Sequence, residues 1–227
     1  DRRWPTRIQV ATRGRPARGG GRPVAVSSPR VATGGQSCRG KTMMSNRFIR
    51  WLIVVLALCG GALQAETPPV RSVDSVDLGR YVGKWYEIAS IPQYFQRQCA
   101  RDVTAEYALK NGAISVINRC TTVSGDVSEA EGQARIVDAR SNAKLEVTFV
   151  KLFGWRYLFG GDYWIIDLAP DYRYAVVGHP SRKYAWVLAA TPQVSSQDLA
   201  AIENRLRASD YDTCGLLTTV QTPVLPV

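Results

Sequence analysis

Side chains able to do chemistry are sparse in these 227 residues, and their spacing argues against catalysis. There is one histidine, His179, so a histidine-rich metal site is excluded and a Ser-His-Asp triad would have to use that residue. It stands before Pro180 at the end of a predicted strand, the setting of a solvated turn residue. Glu87, Asp102 and Glu106 are the carboxylates that adjacent strands could bring together, but carboxylates on strands are mostly solvated or paired. No Cys-x-x-Cys, Gly-x-Ser-x-Gly elbow, phosphate loop or Rossmann glycine fingerprint occurs. The expectation is a protein that is not an enzyme, with no cofactor and no metal. Five cysteines remain, Cys38, Cys59, Cys99, Cys120 and Cys214, and three of them fall in the predicted domain. One of those three is left over, as a buried thiol or a bridge between two copies.

The formal charge of +10 invites a nucleic-acid reading until it is located. Residues 1–42 hold ten Arg and Lys against the single acid Asp1, whereas residues 66–227 hold 17 against 18 acids. The basic character belongs to a leading tail rich in Arg, Gly and Pro, whose composition does not bury enough apolar area to order it. After Trp4 no aromatic residue interleaves its arginines, so it lacks the stacking platforms of a single-strand binder. No nucleic-acid partner is expected of the domain.

Residues 43–65 read as a signal peptide. Arg47 and Arg50 precede the apolar run Trp51 to Leu58, which is too short to span a bilayer, and Ala65 closes a small-residue site. The tail 1–42 therefore reads as foreign to the native protein. Cys59 offers a second route, lipid attachment, although Leu58 departs from the small residue usual before a lipidated cysteine. Both routes lead to an oxidising compartment, with the protein periplasmic and soluble, or anchored to the outer membrane through Cys59.

Beyond a linker at 66–75 containing Pro68 and Pro69, the pattern is of strands. Alternation predicts them over 84–91, 102–109, 113–120, 128–138, 144–150, 162–168, 173–178 and 184–190. Asn111-Gly112 marks a tight hairpin turn, where both positions need positive φ. The strand 144–150 alternates most cleanly, with Leu145, Val147 and Phe149 inward and Lys144, Glu146, Thr148 and Lys151 outward. Phe153, Trp155, Tyr157 and Phe159 crowd the connection 152–161, which reads as a lip over a cavity or a contact for membrane or partner. A helix over 196–208 carries Leu199, Ile202 and Leu206 on one stripe, and a short strand near 216–220 follows. Eight strands with short turns and one amphipathic helix predict an all-β domain over 76–222. Its form is an eight-stranded antiparallel up-and-down β-barrel with one C-terminal α-helix packed outside.

Three landmarks then resemble one family. Gly83-x-Trp85 with Tyr86-Glu87-Ile88-Ala89, the Asp171-Tyr172 turn, and Tyr184-Ala185-Trp186-Val187-Leu188 leading to Thr191-Pro192 are similar to the lipocalins, over about residues 73–220. The bacterial members and their apolipoprotein D-like relatives are the nearest in look. The family usually carries a basic residue before Thr-Pro, lying across the Gly-x-Trp ring. Here that position is Ala190, so the resemblance implies a barrel floor tied less firmly, by about 1–2 kcal/mol.

The resemblance also implies a Cys99–Cys120 disulfide, with Cys99–Cys214 as the rival pairing. Together with alternation it points Ala89, Ala105, Tyr107, Ile114, Val116, Ala134, Ile136, Leu145, Val147, Phe149, Tyr163, Ile165, Val177, Tyr184, Trp186 and Leu188 inward. Ala89, Tyr107, Val116, Ile136, Val147, Phe149, Phe159, Tyr163, Ile165, Val177, Tyr184 and Trp186 are the expected ligand-binding set, with Tyr107, Phe159, Tyr163 and Trp186 nearest the mouth. The implied partner is a fatty acid or lysophospholipid, with the membrane surface a further one and the chain a monomer or homodimer. An enzyme acting on a bound lipid or isoprenoid, or a membrane module using the 152–161 loop, are the alternatives.

Overall fold

The computed structural model describes residues 67–222; the predicted tail and export segment, with Cys38 and Cys59, lie outside them. A short helix α1 (Leu78–Tyr81) leads into strands β1 (Gly83–Ser90), β2 (Cys99–Lys110), β3 (Ala113–Thr122) and β4 (Val127–Ile136). Then come β5 (Lys144–Thr148), β6 (Gly161–Leu168), β7 (Tyr174–Gly178), β8 (Ala185–Ala189), helix α2 (Ser196–Ala208) and a short β9 (Leu217–Thr218). Each of the first seven strands pairs antiparallel with the next, β8 pairs back to β1, which closes the barrel, and β9 adds to the outer end of β1. Asn111 and Gly112 both take positive φ at the β2–β3 turn, as their side chains favour.

Two apolar clusters share the sheet. The inner one contains Trp85, Tyr107, Val116, Leu145, Val147, Ile165, Val177 and Leu188. The outer one lies under α2, where Ile202 and Leu206 pack on Ile166, Val176, Val187 and Ala189. Ser195 caps α2, its hydroxyl accepting from the Asp198 amide at 3.1 Å.

Two β-bulges decide which residues go to which cluster. In β1, Glu87 pairs with Leu188 but Ala89 pairs with Val187, so one β8 step spans two β1 residues. Ala89 therefore leaves the inner face and packs in the outer cluster, contrary to strict alternation. In β6 the shift falls between Ile165 and Asp167. The Ile166 carbonyl there is taken by the Arg205 guanidinium of α2, at 2.9 and 3.1 Å.

Strand β5 is buried on both faces: Leu145 and Val147 point inward as the alternation predicts, and the outward Glu146 and Thr148 are covered instead of solvated. The chain after β5 folds back across its outer side, where Thr148 Oγ1 donates to the Arg156 carbonyl at 2.9 Å and Gly160 lies against Glu146, while Arg135 of the neighbouring β4 pairs with Glu146 at 2.6 Å.

At the floor, Trp85 Nε1 donates to the Tyr81 carbonyl at 2.7 Å and its ring packs on Tyr81 at 5.0 Å. Ala190 contributes only a backbone bond, to the Arg173 carbonyl at 3.0 Å. The tie comes from elsewhere. Asp77, which caps α1, donates its amide to the Tyr172 hydroxyl at 2.9 Å, and the Arg80 guanidinium lies 4.0 Å above the Tyr172 ring.

Cys99 and Cys120 form a disulfide. The register of β2 against β3 shifts on both sides of Arg101, and Asp102 takes a positive φ of 55°, which carries Cys99 round to its partner. The Cys99–Cys214 alternative is thereby overturned.

The segment after α2 stitches β1 to β2. These strands pair only over Gly83–Tyr86. Above that, the Gln221 side-chain amide donates to the carbonyls of Glu87 and Val103 at 2.8 and 2.9 Å, while Thr222 donates its amide to Asp102 at 2.6 Å.

Candidate functional site

The barrel encloses one elongated cavity that opens toward the loops joining β1–β2, β3–β4, β5–β6 and β7–β8. It offers the centre of a water molecule about 120 Å³. The walls are mostly apolar, from Val103, Ala105, Val116, Ala130, Val147, Phe149 and Leu188. Gly132 on β4 makes space for the Phe149 ring: a Cβ there would stand 2.8 Å from it.

Three tyrosines form the lower end. Tyr163 Oη lies 2.8 Å from Tyr81 Oη and 2.9 Å from Tyr107 Oη, so each phenol is satisfied inside the barrel. Burial pushes the Tyr107 phenol up to about 12; the hydrogen bond from Tyr163 opposes this and the charge on Glu87 adds to it. Tyr81 and Tyr163 are raised well above the ordinary tyrosine value, again first by burial. All three stay neutral at physiological pH, and an apolar chain meets hydroxyls there but no charge.

Toward the mouth the lining turns polar. Glu87, 5% exposed, receives the Gln96 side-chain amide at 2.9 Å, and Gln96 Oε1 accepts from Trp186 Nε1 at 3.2 Å. The 3-10 turn Tyr94–Gln96 of the β1–β2 loop is thus pinned across the opening. A second recess beside it is lined by Glu87, Gln93, Gln96, Arg97 and Thr219.

Of the residues expected to bind ligand, Tyr107, Val116, Val147, Phe149, Tyr163 and Trp186 line this cavity. Tyr107 and Tyr163 sit at its lower end and not at the mouth, where the Tyr163 hydroxyl joins Tyr81 and the Tyr107 hydroxyl joins Tyr163. Ile165 and Val177 are inside the barrel but packed apart from the cavity. Four others stand clear of it. Ala89 is turned outward by the β1 bulge, and Ile136 is exposed at the far end of β4. Tyr184 sits edge-on to His179, with ring centres 5.6 Å apart. Phe159 is exposed on the β5–β6 connection, which lies along the outside of β4 and β5; there Tyr157 donates to Gln133 at 3.0 Å and Arg135 covers its ring. Phe153 and Leu158 at its surface are 96% and 82% exposed.

Alternation missed Glu87, Gln96, Asn118 and Ser128 as wall residues. Glu87 had the right parity, since it shares a face with Trp85, but a carboxylate was read as solvated. The three suspected carboxylates do not meet. Glu106 faces outward to Arg119 at 2.9 Å, and Asp102 clasps Thr222. Hydrogen bonds from Thr222 and Thr121, with Arg101, outweigh the burial that would raise the Asp102 carboxyl and hold it below the usual range. His179 Nδ1 accepts from the Ser181 amide at 3.0 Å while Nε2 faces Asp162 at 3.7 Å; burial lowers its pKa, against the pull of Asp162. Among the described residues no three His, Cys, Asp or Glu side chains gather as a metal site.

The chain matches the family model for a lipocalin-like domain over residues 76–221. It is 36% identical over 164 residues to temperature-induced lipocalin-1 of Arabidopsis thaliana, spanning 71% of this chain and 88% of that protein. It is 35% identical to outer membrane lipoprotein Blc of Vibrio cholerae (75% and 97%) and 33% identical to apolipoprotein D of Macaca fascicularis (77% and 96%). Among solved structures, insecticyanin from the tobacco hornworm Manduca sexta superimposes with a TM-score of 0.54 at 24% identity, over 67% of this chain and 84% of that one, a likeness of fold. With the matched domain covering the whole barrel, this chain belongs to the lipocalin family.

Proposed function

We propose that the protein is a carrier of the bacterial cell envelope that holds a fatty acid or lysophospholipid in its barrel for membrane maintenance. The observation that carries this reading is a mostly apolar cavity floored by neutral tyrosines and lined by the β1–β2 loop at its other end, the form that takes an acyl chain and leaves its head at the mouth. Tyr107, Val116, Val147, Phe149, Tyr163 and Trp186 are its chain contacts. Similarity to outer membrane lipoproteins, together with the export signal read at 43–65, supports a periplasmic location, soluble or anchored through Cys59. Catalysis has no part in the proposal.

Phe153 and Leu158, exposed on one connection, favour a second role: touching the membrane while lipid is collected or delivered.

Organic extraction of the purified protein with mass spectrometry should recover a single-chain lipid. Addition of a fatty acid or a lysophospholipid should quench Trp186 fluorescence, and a flat response to both overturns the carrier. Liposome flotation that survives in a cavity-blocked variant and is lost in Phe153→Ser/Leu158→Ser separates the membrane role from carriage.

A further inference from the structure

The β1–β2 loop spans the mouth with space on two sides of it. Phe95, Gln96 and Gln98 line the barrel cavity, while Pro92, Gln93, Gln96 and Arg97 line the second recess. Glu87, Gln96, Cys99 and Val103 border both hollows. A loop between two spaces has room to move, and its ends and latches decide whether it does. The first end continues from β1, where the Ile91 amide donates to the Ala185 carbonyl at 3.0 Å. Midway, Gln96 is the latch, bonded to Glu87 at 2.9 Å and to Trp186 at 3.2 Å.

At the far end the sheet gives less support. Strand β1 pairs with β2 no higher than Tyr86 with Thr104, and the β2–β3 register runs unbroken only from Thr104 onward. Above Thr104 stand the pairings of Arg101 with Thr121 and Cys99 with Thr122, the Asp102 clasp, and the Cys99–Cys120 bond. The covalent tie falls on the residue where the loop ends, and a cross-link there removes conformations that the loop would otherwise reach. The bond is also open to exchange. Cys99 is partly exposed and borders both hollows, whereas Cys120 is 4% exposed. A thiolate of a dithiol reductant attacks Cys99 Sγ, the S–S bond breaks, and Cys120 departs as a thiolate that takes up a proton. The second thiol of the reductant then displaces Cys99 from the mixed disulfide and gives it a proton. The reductant leaves oxidised by two electrons, and two cysteine thiols remain.

We infer that Cys99–Cys120 is a redox switch on the mouth. Oxidised, it holds the segment 91–98 with Gln96 on its latch; reduced, it frees that segment as far as the Asp102 clasp, and ligand exchange quickens. This rests on the carrier reading and is independent of which lipid is carried.

The test follows the full chain with and without dithiothreitol, using stopped-flow Trp186 quenching by dodecanoate and by lauroyl lysophosphatidylcholine. Reduction should raise the association and dissociation rates of the probe that binds by about fivefold or more, with Kd held within about threefold, because a gate changes the barrier and not the end states. Amide exchange over 92–101 should quicken by about tenfold or more in the same sample. Reoxidation should restore both. Cys214→Ser should keep the response to reductant. Cys99→Ser/Cys120→Ser should show the fast rates without reductant and no response to it. Arg205→Met, altered far from the mouth, should keep the slow rates of the oxidised protein, which separates release of the loop from general loosening. Should the double serine variant fail to fold, the wild-type response and Cys214→Ser decide. Rates unchanged on reduction, a response that persists in the double variant, or equal acceleration in Arg205→Met overturns the switch and leaves the carrier standing. If neither probe binds in either state, the carrier falls and the switch with it.

Discussion

The hydroxyls of Tyr163 and Tyr107 lie 2.9 Å apart inside the barrel, and Tyr163 also reaches Tyr81. Removing the central oxygen strands the two outer ones. Tyr163→Phe should destabilise the fold by about 1–3 kcal/mol, the usual cost of leaving buried polar atoms unpaired. Urea unfolding measures this, and a loss below about 0.5 kcal/mol would mean that the cavity supplies replacement partners.

The same phenols set an alkaline limit. A Tyr107 pKa raised to about 12 means that the folded state keeps a proton that the unfolded chain releases near pH 10. Stability is therefore full below pH 10 and declines as pH rises from there toward 12. Unfolding free energy followed between pH 8 and 12 should show this, and Tyr107→Phe should make the decline shallower.

Gly132 faces the cavity under the ring of Phe149. A methyl group there meets the ring at 2.8 Å and the Thr148 carbonyl at 2.9 Å. Gly132→Ala should cost about 1–3 kcal/mol as the ring shifts. It should also weaken quenching by an added lipid chain by a larger factor than it weakens membrane flotation.

Arg205 joins α2 to the barrel through the one carbonyl that the β6 bulge frees from the ladder. Arg205→Met retains the stem and strands the Ile166 oxygen. Thermal unfolding should report a loss of about 1.5–3 kcal/mol, the range for hydrogen bonds to charged groups. Amide exchange should rise at the bulge, with ligand binding unchanged.

On the acid side, His179 titrates below its ordinary value of about 6.5 because it is buried. The unfolded chain takes up that proton first as pH falls. Stability should decline from about pH 6.5 downward until the folded histidine also protonates, and His179→Gln should flatten this limb of the profile.

How far the sequence could be read is clearest on β1. Trp85 and Glu87 follow period two to the buried face, but the bulge after Glu87 moves Ala89 to the outside with Ile88. No residue type at 88 announces that extra residue. On β5 the alternation was clean and still misled, because outward Glu146 and Thr148 are covered by a connection whose path depends on tertiary contacts. The barrel, helix α2 and the hairpin at Asn111-Gly112 were legible because periodicity and turn chemistry are local. Tyr107 and Tyr163 were legible as inward residues, but their depth was not, since it depends on Tyr81 from a helix before the first strand. Asn118 had inward parity; only its unmet oxygen makes it notable, and an orphaned atom is a property of coordinates.

The strip from Leu217 to Thr222 has a consequence for how the wall is closed. Where β1 and β2 part above Tyr86, the wall is closed by the strip itself, whose backbone pairs with Ile88, Ala89 and Ser90 on one side and accepts from the Asp102 amide on the other, with the Gln221 side chain and the Asp102 carboxylate reinforcing the join. Lifting that strip widens the barrel sideways without breaking any rung from β2 to β8. The closure of the wall at this seam thus depends on residues that follow α2 and lie outside the eight-strand ladder.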